Sequence, residues 1–116
     1  MDDLVIDLEI QKPASFDADA MHVAAKAASS LMKLMANPDR LLLLCQLTQN
    51  EKSVGELESL TGIQQPTLSQ QLTVLRAAKL VSTRRDGKNI YYSIASDSAM
   101  KVMQVLYQEF CKKIMY

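Results

Sequence analysis

Apolar residues recur near the helical period at Ala20, Ala24, Ala27, Ala28, Leu31 and Met35, which predicts a helix over residues 17–35. Its first half carries mostly small side chains, a surface that another helix can approach closely. Asn37-Pro38 then restarts the chain, with Asn as a cap and Pro in the first helical turn. The helix that follows, to about residue 47, is apolar nearly all round (Leu41, Leu42, Leu43, Leu44, Leu47) and is expected in the middle of the core. Ser53 and Glu56 have capping-box spacing and predict a short helix over 53–60, stopped at Thr61-Gly62. Gln65-Pro66 opens a helix to about residue 77, whose apolar face is Leu68, Leu72 and Leu75.

Beyond residue 80 the period changes. Residues 81–85 and 89–94 alternate as strands, and Asp86-Gly87 between them signals a hairpin. A last helix is predicted over 97–115, with Ala99, Val102, Met103, Leu106 and Phe110 on one stripe. The expected fold is mainly α with a small β-hairpin: a winged helix-turn-helix of five helices plus a wing. Residues 1–16 are acidic, end near Pro13 and read as a mobile arm, although LVIDLEI within them has a strand-like pattern. Residues 17–116 then form a single DNA-binding and dimerisation domain.

With 116 residues, 48% hydrophobic and 22% charged, the chain can bury one core. Its longest relevant apolar run, Leu41 to Cys45, is far short of the roughly 20 residues of a membrane span, and no secretory signal opens it. A soluble cytoplasmic protein with no membrane contact is expected. Two cysteines far apart and a single histidine supply neither a zinc-ligand pair nor a disulfide framework. The three glycines are scattered singly, so there is no phosphate loop, and no nucleophile–base arrangement is visible. Neither an enzyme nor a cofactor is expected.

The formal net charge is zero, but its distribution is uneven. Residues 1–20 hold six acids against Lys12, leaving the remainder of the chain with a net +5. Residues 64–95 carry Arg76, Lys79, Arg84, Arg85 and Lys88 against Asp86 alone. Next to these bases, the predicted helix after Gln65-Pro66 exposes only short polar side chains and no acid. Such a face can hydrogen-bond to base edges without repelling the phosphates. Gln64, Thr67, Ser69 and Gln70 are therefore expected to touch double-stranded DNA, while Arg84, Arg85 and Lys88 grip the flanking backbone. Each element by itself also fits an ordinary solvated surface; it is their succession that favours DNA.

The sequence resembles the ArsR/SmtB family of small dimeric winged-helix repressors, through Asn37-Pro38-Asp39-Arg40-Leu41 and SVGELESLTGIQQPTLSQQLTVLRAAKLVSTRRDGKNIYYSI at 53–94. The likeness covers about residues 20–114. It implies pairing through the first and last helices, an inverted-repeat operator, and repression until an inducer binds. The metal-sensing patterns of the family are not kept. In the stretch matching ELCVCDL, Ser53 and Gly55 replace the thiolates. At the last-helix site Asp97 remains, but Ala99, Phe110 and Lys113 stand where the other ligands fall.

What remains is Cys45 in the second helix and Cys111 in the last, either of which taken alone reads as a small buried hydrophobe. Their placement is similar to the BigR/SqrR branch, and that likeness implies a redox-sensing pair. Reactive sulfur species (persulfide or polysulfide) are then the inducer, the two thiols become joined by a disulfide or longer bridge, and sulfide-detoxification genes are the expected targets. Closing a loop of this length is worth about 4 kcal/mol in the chain-entropy model. A general thiol switch, a soft-metal or arsenite response, and an antirepressor that binds another protein remain as alternatives. Tyr107 reads as a packing or interface residue, and His22 as a surface or interface residue rather than a ligand.

Overall fold

The computed structural model describes residues 17–111, which fall into two units, residues 17–30 and 31–111. The predicted arm at 1–16 and the last residues of the predicted final helix, with Lys113, lie outside the described residues. No helix among the described residues is long and apolar enough to cross a membrane.

Helix α1 (Ala18–Met35) starts where the Asp17 carboxylate accepts the amides of Asp19 and Ala20. Every residue from 17 to 30 is exposed in the single chain, Met21 and Val23 included. Only the last turn of α1 joins the core, with Met35 buried and Leu31 and Leu34 packed at its edge.

Helix α2 (Pro38–Leu47) begins as the sequence predicts: the Asn37 side chain accepts the Arg40 amide at 3.0 Å and Pro38 takes the first turn, where no amide partner is needed. Its burial is narrower than its composition suggests. Leu43, Leu44 and Leu47 are buried, but Leu41 and Cys45 are half-buried and Leu42 is 47% exposed. The expectation of a helix in the middle of the core is therefore corrected: α2 turns one side to the core, and Leu42 lies off that side.

Strand β1 (Lys52–Ser53) leads into α3 (Val54–Thr61) through the predicted capping box: Ser53 Oγ accepts the Glu56 amide and Glu56 Oε1 accepts the Ser53 amide. Gly62 stops α3 in the left-handed conformation, φ 75°, with its amide bonded to the Glu58 carbonyl. Helix α4 (Thr67–Ala77) buries Leu68, Leu72 and Leu75, each worth about 2 kcal/mol of burial. It starts two residues later than Gln65-Pro66 suggests. Pro66 takes the cap position without a side-chain bond, and Gln65 Oε1 accepts the Ser69 amide instead.

At the end of α4, Lys79 adopts a left-handed φ of 64° while the Lys79 and Leu80 amides bond back to the Arg76 and Leu75 carbonyls. This stop turns the chain into β2 (Val81–Asp86) and β3 (Asn89–Ile94), joined at Gly87, φ 64°. The wing is wider than a hairpin. β1 adds to it antiparallel, giving the order β1-β3-β2 with Lys52 opposite Tyr92 and Ser53 opposite Tyr91.

Helix α5 (Asp97–Leu106), capped by Ser96, buries Ala99 and Met103. The predicted helix to 115 changes character earlier: from Tyr107 to Cys111 the backbone widens into a π-helical turn. Phe110, at the end of the predicted apolar stripe, is 66% exposed in the single chain. The order of five helices and a wing is a winged helix-turn-helix.

Candidate nucleic-acid interface and thiol groove

The helix-turn-helix consists of α3, the Gly62 turn and α4. The buried leucines of α4 turn its other side outward, where Ser69 and Gln70 are exposed and Thr67 is half-buried; Gln64, also exposed, lies in the turn before the helix. Thr73, also on this side, spends its hydroxyl on the Ser69 carbonyl at 2.8 Å. Gln71 is held from behind: its Oε1 accepts from Arg40 Nη1 at 2.8 Å. No acid lies in the first turn of α4, so the surface offers amide and hydroxyl groups without a repelling charge.

The wing brings its three bases to one end of the sheet but treats them differently. Arg85 and Lys88 are exposed and make no ion pair among the described residues. Arg84 is engaged. Its Nε donates to Glu51 Oε1 at 2.8 Å, its Nη2 pairs with Glu51 Oε2, and the guanidinium lies 4.7 Å from the ring centre of Tyr91. These bonds lower the Glu51 pKa below the usual carboxylate value and raise that of Arg84. Adjacent residues of a strand face opposite sides, so Arg84, opposite Tyr91, and Arg85, opposite Ile90, point away from each other.

The two cysteines, distant in sequence, meet in a groove between α2 and α5. The groove has a volume of about 480 Å³, and Leu41, Leu42, Met103, Leu106, Tyr107 and Phe110 line it together with both thiols. Both are free thiols, each half-buried. Burial pushes the Cys45 thiol pKa up first, and the charge and hydrogen bonding of Cys111 push it further in the same direction. Thr48 Oγ1 donates to the Cys45 carbonyl at 2.6 Å, fixing the end of α2 beside the groove. Among the described residues no three His, Cys, Asp or Glu side chains cluster as a metal site would require. His22 is exposed.

Residues 37–83 match the model of the bacterial regulatory protein, arsR family. The biofilm growth-associated repressor of Agrobacterium fabrum strain C58 is 45% identical to this chain over 93% of its length and 95% of that protein's. The chain belongs to the ArsR family. Its fold agrees with solved ArsR-type structures. The transcriptional repressor BigR from Xylella fastidiosa superposes with a TM-score of 0.75 at 44% identity, covering 83% of this chain and 98% of that one. Reduced HlyU from Vibrio cholerae N16961 superposes with a TM-score of 0.77 at 38% identity, covering 79% of this chain and 97% of that one.

Three contacts of this ArsR-family chain have no counterpart in the sequence reading. Glu51 on Arg84, Arg40 on Gln71, and the pairing of β1 with β3 all join distant positions. Arg40 had a signal, since it lies inside the Asn37-Pro38-Asp39-Arg40-Leu41 stretch that carries the resemblance. Glu51 had none, being a single acid in a short loop.

Proposed function

We propose that this chain is a homodimeric transcriptional repressor that holds an inverted-repeat operator when reduced and releases it when Cys45 and Cys111 are joined. The observation that carries the reading is that Cys45 and Cys111, one from each helix, line the same apolar groove. A small-molecule persulfide, a thiol carrying one extra sulfur, supplies the oxidising equivalent. The Cys111 thiolate attacks its outer sulfur, the sulfur–sulfur bond of the persulfide breaks, and the parent thiol leaves. Cys45, kept protonated by burial, attacks second: its thiol loses a proton, the new sulfur–sulfur bond closes the pair, and hydrogen sulfide departs. Two protein thiols and one persulfide thus give a disulfide, the parent thiol and hydrogen sulfide; extra sulfur taken up before closure gives a longer bridge.

In the reduced form Gln64, Thr67, Ser69 and Gln70 meet the bases, and Arg84, Arg85 and Lys88 meet the backbone. The bridge acts on α2, which also carries Arg40 and through it grips Gln71 of the recognition helix. A second copy covers the exposed apolar residues of the first and last helices, Val23, Val105 and Phe110 among them. Pairing sets the two recognition helices about 34–36 Å apart, one turn of duplex. Sulfide-detoxification genes are the targets this reading favours.

The test joins intact mass with operator binding, before and after anaerobic treatment with polysulfide, hydrogen peroxide or arsenite. Loss of two hydrogens, alone or with whole sulfur atoms added, together with release of DNA by polysulfide but not by the others, is the expected result. Release by peroxide with equal potency makes the pair a general thiol switch. A bound arsenic atom makes it a soft-metal site.

A further inference from the structure

We infer that Glu51 is an internal competitor for DNA: in the unbound protein its carboxylate occupies the Arg84 guanidinium, and binding exchanges that carboxylate for a backbone phosphate. The inference rests on the reading that the wing meets the DNA backbone. Glu51 thereby sets affinity from outside the wing hairpin, without touching DNA.

The sheet topology creates the contact. Ser53 of β1 and Arg84 of β2 both lie opposite Tyr91 of the central strand β3. Glu51, two residues before Ser53, and Arg84 therefore reach each other over the Tyr91 ring, on which the guanidinium rests. The contact uses two parallel donors, Nε and Nη2, on two carboxylate oxygens. This is the same fork that a guanidinium presents to two phosphate oxygens, so the two partners are mutually exclusive at Arg84. Asp86 adds a second, looser acid, 3.9 Å from Nη1.

The energetics favour exchange. Both side chains are substantially exposed, 53% for Arg84 and 37% for Glu51, and an ion pair open to water is weak. A phosphate offers the same hydrogen bonds and also releases condensed counterions, which a lone carboxylate cannot do. Tyr91 holds the guanidinium in place while its partner changes. Because the phosphate contact carries no sequence information, Glu51 lowers affinity for all duplexes alike and leaves base preference unaltered.

The experiment measures binding of the full-length reduced protein to a mixed-sequence duplex of about 30 base pairs, across a salt series. The parent is compared with Glu51→Gln, Arg84→Ala and the double variant, each checked for folding by circular dichroism. Glu51→Gln is expected to bind about two- to fivefold tighter at low salt, with the advantage shrinking as salt screens the parent's ion pair. The double variant is expected to bind as weakly as Arg84→Ala. The inference is overturned if Glu51→Gln binds no tighter than the parent while Arg84→Ala weakens binding, which leaves the wing reading intact. Equal tightening in the Arg84→Ala background also overturns it, since the effect would then be the general field of a removed acid. If Arg84→Ala binds as well as the parent, the wing reading fails at Arg84 and the inference with it.

Discussion

Arg40, in the first turn of α2, donates from Nη1 to Oε1 of Gln71 in the middle of α4 at 2.8 Å. The same guanidinium donates from Nε to the Leu34 carbonyl at 2.6 Å and from Nη2 to the Lys33 carbonyl at 3.4 Å. One side chain therefore caps the end of α1 and holds the recognition helix from its inner side. The cation also lies at a helix C-terminus, where the helix dipole favours it.

Arg40→Ala should lower unfolding free energy by about 1–3 kcal/mol, because charged hydrogen bonds are lost and the α1 carbonyls lose their partner. Arg40→Lys should recover only part of this, since an ammonium cannot serve carbonyls and Gln71 as a planar fork does. Urea denaturation checks both: the midpoint should fall while the slope stays unchanged.

Burial predicts unequal costs for two helical leucines. Leu72 is almost wholly buried, so Leu72→Ala should cost about 2–5 kcal/mol through lost burial and the cavity left behind. Leu42, 47% exposed, should cost under about 1 kcal/mol when changed to Ala. Thermal or urea unfolding of the two variants measures the difference; equal costs would contradict the packing described for α2.

On DNA, Gln70 and Arg85 should separate base reading from backbone grip. Gln70→Ala is expected to cost about 1–3 kcal/mol on a selected operator and to relax base preference at one position. Arg85→Ala should weaken binding to every duplex and make the salt dependence shallower by about one unit of slope. Selection from a randomised duplex pool, followed by salt titrations, reads both effects.

The cysteine pair yields a prediction about pH. Burial and Cys111 raise the Cys45 pKa, so the folded chain holds that proton to higher pH than the unfolded chain does. The stability linked to it is present below the unfolded thiol pKa and is lost as pH rises through the folded value. Alkylation of Cys45 should accordingly be slow at neutral pH, with a midpoint above that of a free thiol. Cys111→Ala should move the midpoint down only part of the way, because burial, the larger cause, remains. Mass-resolved alkylation across pH tests this. Cys45→Ser and Cys111→Ser should each still bind operator and lose the polysulfide response, since one thiol cannot close a bridge.

The sequence by itself determined the features whose partners lie within a few residues. Asn37 caps Arg40, Ser53 and Glu56 cap each other, and Gly62 supplies a left-handed stop; each was legible because the two groups are fixed by local backbone geometry. The inward face of α4 was legible for a similar reason: Leu68, Leu72 and Leu75 share a helical period, and burial of one stripe follows from it. Composition misled at the four consecutive leucines of α2, which looked equally apolar, because only the surrounding elements decide which leucine is covered. Tertiary structure alone decided the contacts between distant positions. Glu51 and Arg84 are 33 positions apart, and Arg40 and Gln71 are 31 apart. No period or cap links such residues; β1 must first pair with β3, and α2 must pack against α4. The meeting of Cys45 and Cys111 was similarly implied only by family likeness, and it depends on where α5 and its π-helical turn lie against α2. Short-range geometry is written into neighbouring side chains, whereas long-range contact is set by how whole elements bury their apolar faces together.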